Sequence, residues 1–364
     1  MRARLAIAIA LGLGLAPGCK PPPAVKVPEA KSLRATSAIH PDVDRLLKGI
    51  IDGDIASLRA WMTPWLRGQV GASDLIDASG RIRKRHGRFQ GIVEERAHRE
   101  GALTWYSVLV LHRGSAALSQ GDGRLRLMLY QFAVDGKQAL TRLLVREHIP
   151  LRDTQPPANH YLAITRFHFP SAGEWTIVHG GRRKSTNYHH GSRSQRFAYD
   201  IVIKDVGRQR GGKENRDALC YGKVLTAPAT GTVVVAINNV AENRPGTTGK
   251  LGGNGVVIDH GFGEFSSLWH MIPGTVKVKV GDRVELGQEL GKVGNSGHSS
   301  GPHIHFHASS DPRRSDEFGI PAPFVDVYVD GAWQERALPV RGQRIRRVSQ
   351  PGEVALGPEI YLDL

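Results

Sequence analysis

Between residues 40 and 66 the apolar positions keep a helical period. Val43, Leu46, Leu47, Ile50 and Ile51 fall three or four apart, and Leu58, Trp61, Met62 and Trp65 repeat the pattern within Ser57–Leu66, so each set lines one face of a helix. After Gly87 the pattern becomes strand-like. Phe89–Glu95, Leu103–His112, Leu125–Val134 and Ala139–Val145 read as strands, with Asp135-Gly136 as a turn signal between the last two. Arg152–Pro170 carries neither period and reads as a connector. From Trp175 onward the chain is a succession of short β segments: Phe197–Ile203, Gly231–Asn238, Gly255–His260, Phe265–His270, Val276–Val280, Glu289–Val293 and His303–Ala308. Turn residues separate them at short intervals, which predicts an all-β region. No long-period repeat is present.

The N-terminus has its own pattern. Arg2 and Arg4 precede an apolar run, Leu5–Leu15, that is too short to span a bilayer, which takes roughly 20 residues. With Ala16-Pro17-Gly18-Cys19 after it, residues 1–19 read as a signal peptide whose end is similar to a bacterial lipobox, so a lipid anchor through Cys19 is expected. Residues 20–39, rich in Pro, Lys and Ala, read as a linker. The protein is thus expected to be exported to the cell envelope, as a periplasm-facing lipoprotein of the outer membrane.

Composition narrows the classes. At 364 residues with 40% hydrophobic and 23% charged positions, the chain can bury about two cores and is neither disordered nor a polytopic membrane protein. Two cysteines exclude a disulfide scaffold and a Cys-rich zinc site, and Cys220 reads as a small buried apolar residue. A net charge of +15 favours polyanionic surroundings without naming them. The export signal and the lack of a stacking-aromatic motif argue against nucleic acid.

Histidine carries the chemistry: 16 are present, and half lie between His189 and His307. In Gly301-Pro302-His303-Ile304-His305-Phe306, the two histidines are two apart, and on a strand they project from one face; His307 continues it. Ser267-Leu268-Trp269-His270 supplies another histidine. Asn187-Tyr188-His189-His190 comes shortly before Phe197-Ala198-Tyr199-Asp200, whose carboxylate sits in an apolar strand where ligation of a metal would resolve the cost of burial.

A glycine framework surrounds these groups: Ala227-Pro228-Ala229-Thr230-Gly231, Gly253-Asn254-Gly255 through Asp259-His260-Gly261, Gly281-Asp282 through Gly287-Gln288 to Gly291, and Gly294-Asn295-Ser296-Gly297. Together with the His-x-His strand, it resembles the lysostaphin/LytM-type zinc metalloendopeptidases, which cut peptide cross-links of bacterial peptidoglycan. The resemblance covers roughly residues 175–310. It implies Zn2+ held by His189 or His190, Asp200 and His305, and catalytic histidines at His270 and His303. His189 is the preferred first ligand because it stands two after Asn187. Four residues before Asp200, where that family commonly has its first histidine, this chain has Arg196, so a longer loop must fold back. The implied activity is hydrolysis of peptidoglycan stem-peptide cross-links, D-alanyl–diaminopimelyl bonds among them, by a zinc-activated water; the alternative is an inactive LytM-type regulator that binds peptidoglycan or activates another wall hydrolase. The expected architecture is two-domain: an α+β cone-like accessory domain over 40–150, similar to small nuclear-transport-factor-like domains, then an all-β LytM-type peptidase domain over 160–340 and a C-terminal extension over 341–364. Of the remaining groups, His260 reads as structural, and His179, His298, Tyr188 and Trp269 as candidates for the walls of the groove.

Overall fold

The computed structural model describes residues 39–113, 125–148, 161–204, 212–250, 252–312, 318–348 and 360–363. The expected signal peptide, nearly all of the expected linker and Cys19 lie outside them. The helical period near residue 43 becomes α1 (Pro41–Leu47), continued by a π-helical turn to Asp52. Three more helices follow: α2 (Ile55–Trp61), α3 (Pro64–Gln69) and α4 (Ala72–His86). Asp54 caps α2 by accepting from Ser57 N, and Thr63 caps α3 by accepting from Leu66 N. The apolar stripes predicted from sequence meet on one side: Val43, Leu46, Leu58, Trp61 and Met62 share a core with α4 and the strands that follow.

Those strands are β1 (Arg88–Glu100), β2 (Leu103–Arg113), β3 (Leu125–Val134) and β4 (Leu140–His148), an antiparallel meander in chain order. Trp61 Nε1 donates to Gln138 O at 2.7 Å and pins α2 to the β3–β4 turn.

The C-terminal part is mostly β. Its strands are β5 (Phe167–His168), β6 (Glu174–His179), β7 (Tyr199–Val202), β8 (Val224–Thr226), β9 (Gly231–Ile237), β10 (Asn254–Asp259), β11 (Phe265–Met271), β12 (Arg283–Val284), β13 (Glu289–Lys292), β14 (Ile304–Ser309), β15 (Gly319–Ile320), β16 (Phe324–Val329), β17 (Ala332–Ala337) and β18 (Arg344–Arg347). The large sheet runs β12-β9-β10-β11-β14-β7-β6-β18-β16-β17, and β8 pairs with β13 separately. A second core, containing Trp175, Tyr199, Phe306 and Phe324, lies beneath it.

Two expectations change. Val276–Val280 is not a strand: its alternation is strand-like, but Val280 is exposed and the segment keeps only single contacts, such as Lys277 N to Leu290 O at 2.9 Å, before turning at Lys279–Asp282. Residues 341–364, set apart above as an extension, contribute β18 between β6 and β16, while β19 (Ile360–Asp363) pairs in parallel with β4.

Buried charge joins the two halves. Glu264, fully buried in the β10–β11 turn, accepts from Tyr161 Oη at 2.6 Å and from Ile164 N and Thr165 N at 2.7 Å. Arg166 donates to both oxygens of Glu100 at 3.1 Å and to Asp326 Oδ2 at 2.9 Å, and its guanidinium lies 3.9 Å from the Trp105 ring centre. Glu100 is thus satisfied from across the boundary by Arg166, while Glu264 and Asp326 take their donors from residues 161–166, as burial of charge requires.

Candidate metal centre and active site

Three neighbouring strands and one loop converge on the site. β14 pairs with β7 so that His305 stands opposite Asp200, and with β11 so that His305 also stands opposite Trp269. Asp200 Oδ1 lies 2.9 Å from His305 Nδ1, and Oδ2 lies 3.0 Å from His189 Nε2. The donor atoms of His189, Asp200 and His305 all fall within 4.8 Å of one another, and all three residues are buried.

The loop that supplies His189 folds back through Asn187. This asparagine is 1% exposed; its Nδ2 reaches the carbonyls of Gly181, Arg196 and Ala198 at 3.0–3.2 Å, and its Oδ1 accepts from His189 N at 3.0 Å. The same loop brings His189, and not His190, to Asp200. His190 turns away: its Nε2 lies 2.8 Å from Arg196 Nη2, and its carbonyl accepts from Arg196 Nη1 at 3.0 Å. Arg196 therefore holds the His190 imidazole apart from the His189–Asp200–His305 group. Asn187→Ala removes these bonds and strands buried carbonyls, so a loss of about 1–3 kcal/mol is expected, read by urea unfolding. An unchanged unfolding midpoint would contradict this role.

His270 and His303 stand beside the triad. One ring nitrogen each of His270, His303 and His305 lies within 4.8 Å of the others, and the rings of His270 and His303 are 4.9 Å apart. Each has its Nδ1 against a carbonyl, His270 on Ser296 O and His303 on Gly301 O, both at 2.8 Å. A carbonyl can only accept, so each Nδ1 carries a hydrogen and each Nε2 is left for chemistry. His303 Nε2 lies 3.4 Å from Asp200 Oδ1. His303 itself precedes β14, which begins at Ile304, so it reaches the site from the turn rather than from the strand on which the spacing placed it.

His270 holds an unusual backbone. Its φ is +68°, in the left-handed region that non-glycine residues avoid. The β10–β11 register explains it: Asn254 pairs with Met271 and Gly255 with Trp269, so His270 is the extra residue of a bulge, which re-aims its side chain. Gly255 is needed there because a Cβ would strike Leu268 O and the Trp269 ring.

The electrostatics follow from burial and crowding. Burial works against a charge on Asp200, but the imidazole of His303 and hydrogen bonds from His189, His303 and His305 outweigh it and hold the carboxyl well below the usual carboxylate range. Burial, then the nearby His303 and His305, push His270 well below the ordinary imidazole range. Burial also lowers His305, whereas for His303 burial is outweighed by Asp200 and the ring is raised.

The remaining candidates separate cleanly. Tyr188 is 62% exposed with its ring 3.9 Å from that of His189, and His179 lies 4.5 Å from Tyr188. Both, with Asp200, His298, Pro302 and His303, line a cleft of 870 Å³. Trp269 packs at the strand pair, and His260 is structural, bridging Thr230 O and Ser266 Oγ. Reading the sequence for ionisable groups missed the two carbonyls that orient His270 and His303, since a backbone acceptor leaves no residue-type signal. Glu100, His168 and Asp326 also approach one another, but the Arg166 guanidinium already neutralises two of them, which disfavours a cation there.

Zinc suits the triad. Two imidazole nitrogens and one carboxylate oxygen are the donors a catalytic zinc takes, and bonds of about 2.0 Å in tetrahedral arrangement place donors about 3.3 Å apart, close to the spacing found here.

Residues 218–316 match the model of peptidase family M23. Over 95 residues the chain is 35% identical to the glycyl-glycine endopeptidase ALE-1 of Staphylococcus capitis, covering 26% of this chain and 26% of that protein. Over 95 residues it is 33% identical to the lysostaphin of Staphylococcus simulans, covering 26% of this chain and 19% of that protein. The match thus spans about a quarter or less of the length of these relatives. Among solved structures, a zinc containing peptidase from Vibrio cholerae overlaps 70% of this chain and 63% of its own at 15% identity and a TM-score of 0.28, too low to carry an argument. His270, His303 and His305 fall inside the profile match; His189 and Asp200 lie upstream of it.

Proposed function

We propose that this protein is a zinc metalloendopeptidase that hydrolyses peptide cross-links of bacterial peptidoglycan at the cell envelope. The observation that carries the reading is the convergence of His189, Asp200 and His305 within 4.8 Å of one another, with His270 and His303 beside them and a cleft of 870 Å³ lined by Asp200 and His303. His189, Asp200 and His305 hold the zinc. When bound there, zinc supplies Lewis acidity toward a water and a peptide carbonyl. The chain's own residues do the rest. The bare Nε2 of one histidine of the His270–His303 pair accepts a proton from the attacking water; the other, protonated on Nε2 as well as on Nδ1, donates a hydrogen bond to the carbonyl oxygen as charge develops on it. The fixed Nδ1–H bonds to Ser296 and Gly301 keep both rings aimed at the reaction and spare reorganisation during it.

The substrate class rests on the family and on charge. Stem peptides are anionic, and a chain at +15 attracts them. A lipid anchor on Cys19 would hold the enzyme beside the wall as a periplasm-facing outer-membrane lipoprotein, with residues 40–150 as an accessory domain between anchor and peptidase. Digestion of diaminopimelate-type peptidoglycan with mass spectrometry of the released muropeptides tests the reading. Conversion of dimers to monomers, abolished by chelator and restored by zinc, is expected and names the D-alanyl–diaminopimelyl bond. Zinc-loaded protein that binds the polymer without releasing monomers would overturn hydrolysis of this wall type.

A further inference from the structure

Resting on the metal reading above, we propose that His307 is a positioning residue that sets the ring orientation and tautomer of His305. The alternation of β14 puts Ile304, Phe306 and Ala308 into the core, while His305 and His307 share the opposite face, each 3% exposed. The two rings are 5.3 Å apart and inclined at 74°, and His305 Nε2 lies 3.2 Å from His307 Nδ1. The other nitrogen of His305, Nδ1, is the atom facing Asp200 Oδ1 at 2.9 Å.

These two contacts constrain each other. An imidazole that offers the Nδ1 lone pair to a cation carries its hydrogen on Nε2. In a buried site that hydrogen needs an acceptor, and His307 Nδ1 is within reach of it. Accepting it requires a bare Nδ1 on His307. One N–H···N contact therefore fixes both the plane of the His305 ring and the nitrogen it presents. Ligand histidines are ordinarily oriented by a carboxylate, a carbonyl or water. Here the acceptor within reach is an imidazole nitrogen, His307 Nδ1. The three histidines thus divide their work: His303, in the turn before β14, is tied to Gly301 O, His305 faces the metal, and His307 braces His305.

Chelator competition with zinc on the full chain tests this, comparing wild type, His307→Ala, His307→Asn and the reference His305→Ala. His307→Ala is expected to weaken zinc binding by about 10–100-fold. His307→Asn, whose amide oxygen can occupy the place of Nδ1, is expected to restore most of it. Wild-type affinity in folded His307→Ala would overturn the role of His307 alone. Wild type that binds zinc no better than His305→Ala would overturn the metal reading and this inference with it. Should His307→Ala not fold, the ring-nitrogen NMR signals of zinc-loaded wild type decide: a protonated His305 Nε2 bonded to His307 supports the role, and an unprotonated Nε2 overturns it.

Discussion

His303→Ala is expected to keep its zinc and to cleave cross-linked muropeptides about 10²-fold more slowly or worse, whereas His305→Ala is expected to lose the metal itself. The contrast follows from where the two rings stand. His305 contacts Asp200 at 2.9 Å and belongs to the group that includes His189, so removing it takes away one of three donors. His303 touches the same carboxylate at 3.4 Å through Nε2, is anchored outside the triad by its bond to Gly301 O, and lines the cleft. Its loss leaves three donors in place and removes a proton-transfer group. Metal content by mass spectrometry and turnover of a purified muropeptide dimer separate the two effects. Equal turnover by His303→Ala and wild type would remove His303 from the chemistry, and full zinc occupancy in His305→Ala would remove His305 from the ligands.

Much of this site was legible before any fold was known, for a physical reason. The His-x-His spacing keeps His303 and His305 close even though His303 reaches the site from the turn before β14, and a carboxylate in an apolar strand needs a partner, so Asp200 and the histidines point to each other. What sequence left open was decided by groups with no chemical signature. His189 and His190 are equivalent as letters; only the buried amide of Asn187 and the grip of Arg196 on His190 distinguish them. The bulge at His270 is a register effect between β10 and β11, invisible along one strand. Val276–Val280 alternates like a strand but lacks a ladder, because pairing depends on what lies beside it. The reverse holds for Arg344–Arg347: its arginines give no apolar run, yet β6 and β16 flank it on both sides.

Acidification should destabilise the metal-free fold well before its carboxylates titrate. His112, His148 and His260 are buried, and burial pushes their rings down from 6.5 to about 4, about 3 and about 4. Their surroundings fit a neutral ring: His260 bridges Thr230 O and Ser266 Oγ, His112 lies between Gly87 O and Tyr130 Oη, and His148 sits near Arg146. In the unfolded chain these rings take up protons near 6.5; in the fold they resist down to 3–4. Over that interval the unfolded state binds more protons, so stability falls as pH falls. Each ring contributes up to about 1.4 kcal/mol per pH unit, and the three together on the order of 4. His86, His270 and His305 are displaced in the same direction and His303 in the opposite one. Urea unfolding in the presence of chelator, followed from pH 6.5 to 5, is expected to show this slope, and His260→Gln, which can still hydrogen-bond but not ionise, is expected to flatten it by one ring's share. Stability that stays level across this range would mean that these histidines titrate in the fold as they do in the open chain, and that burial does not keep them neutral.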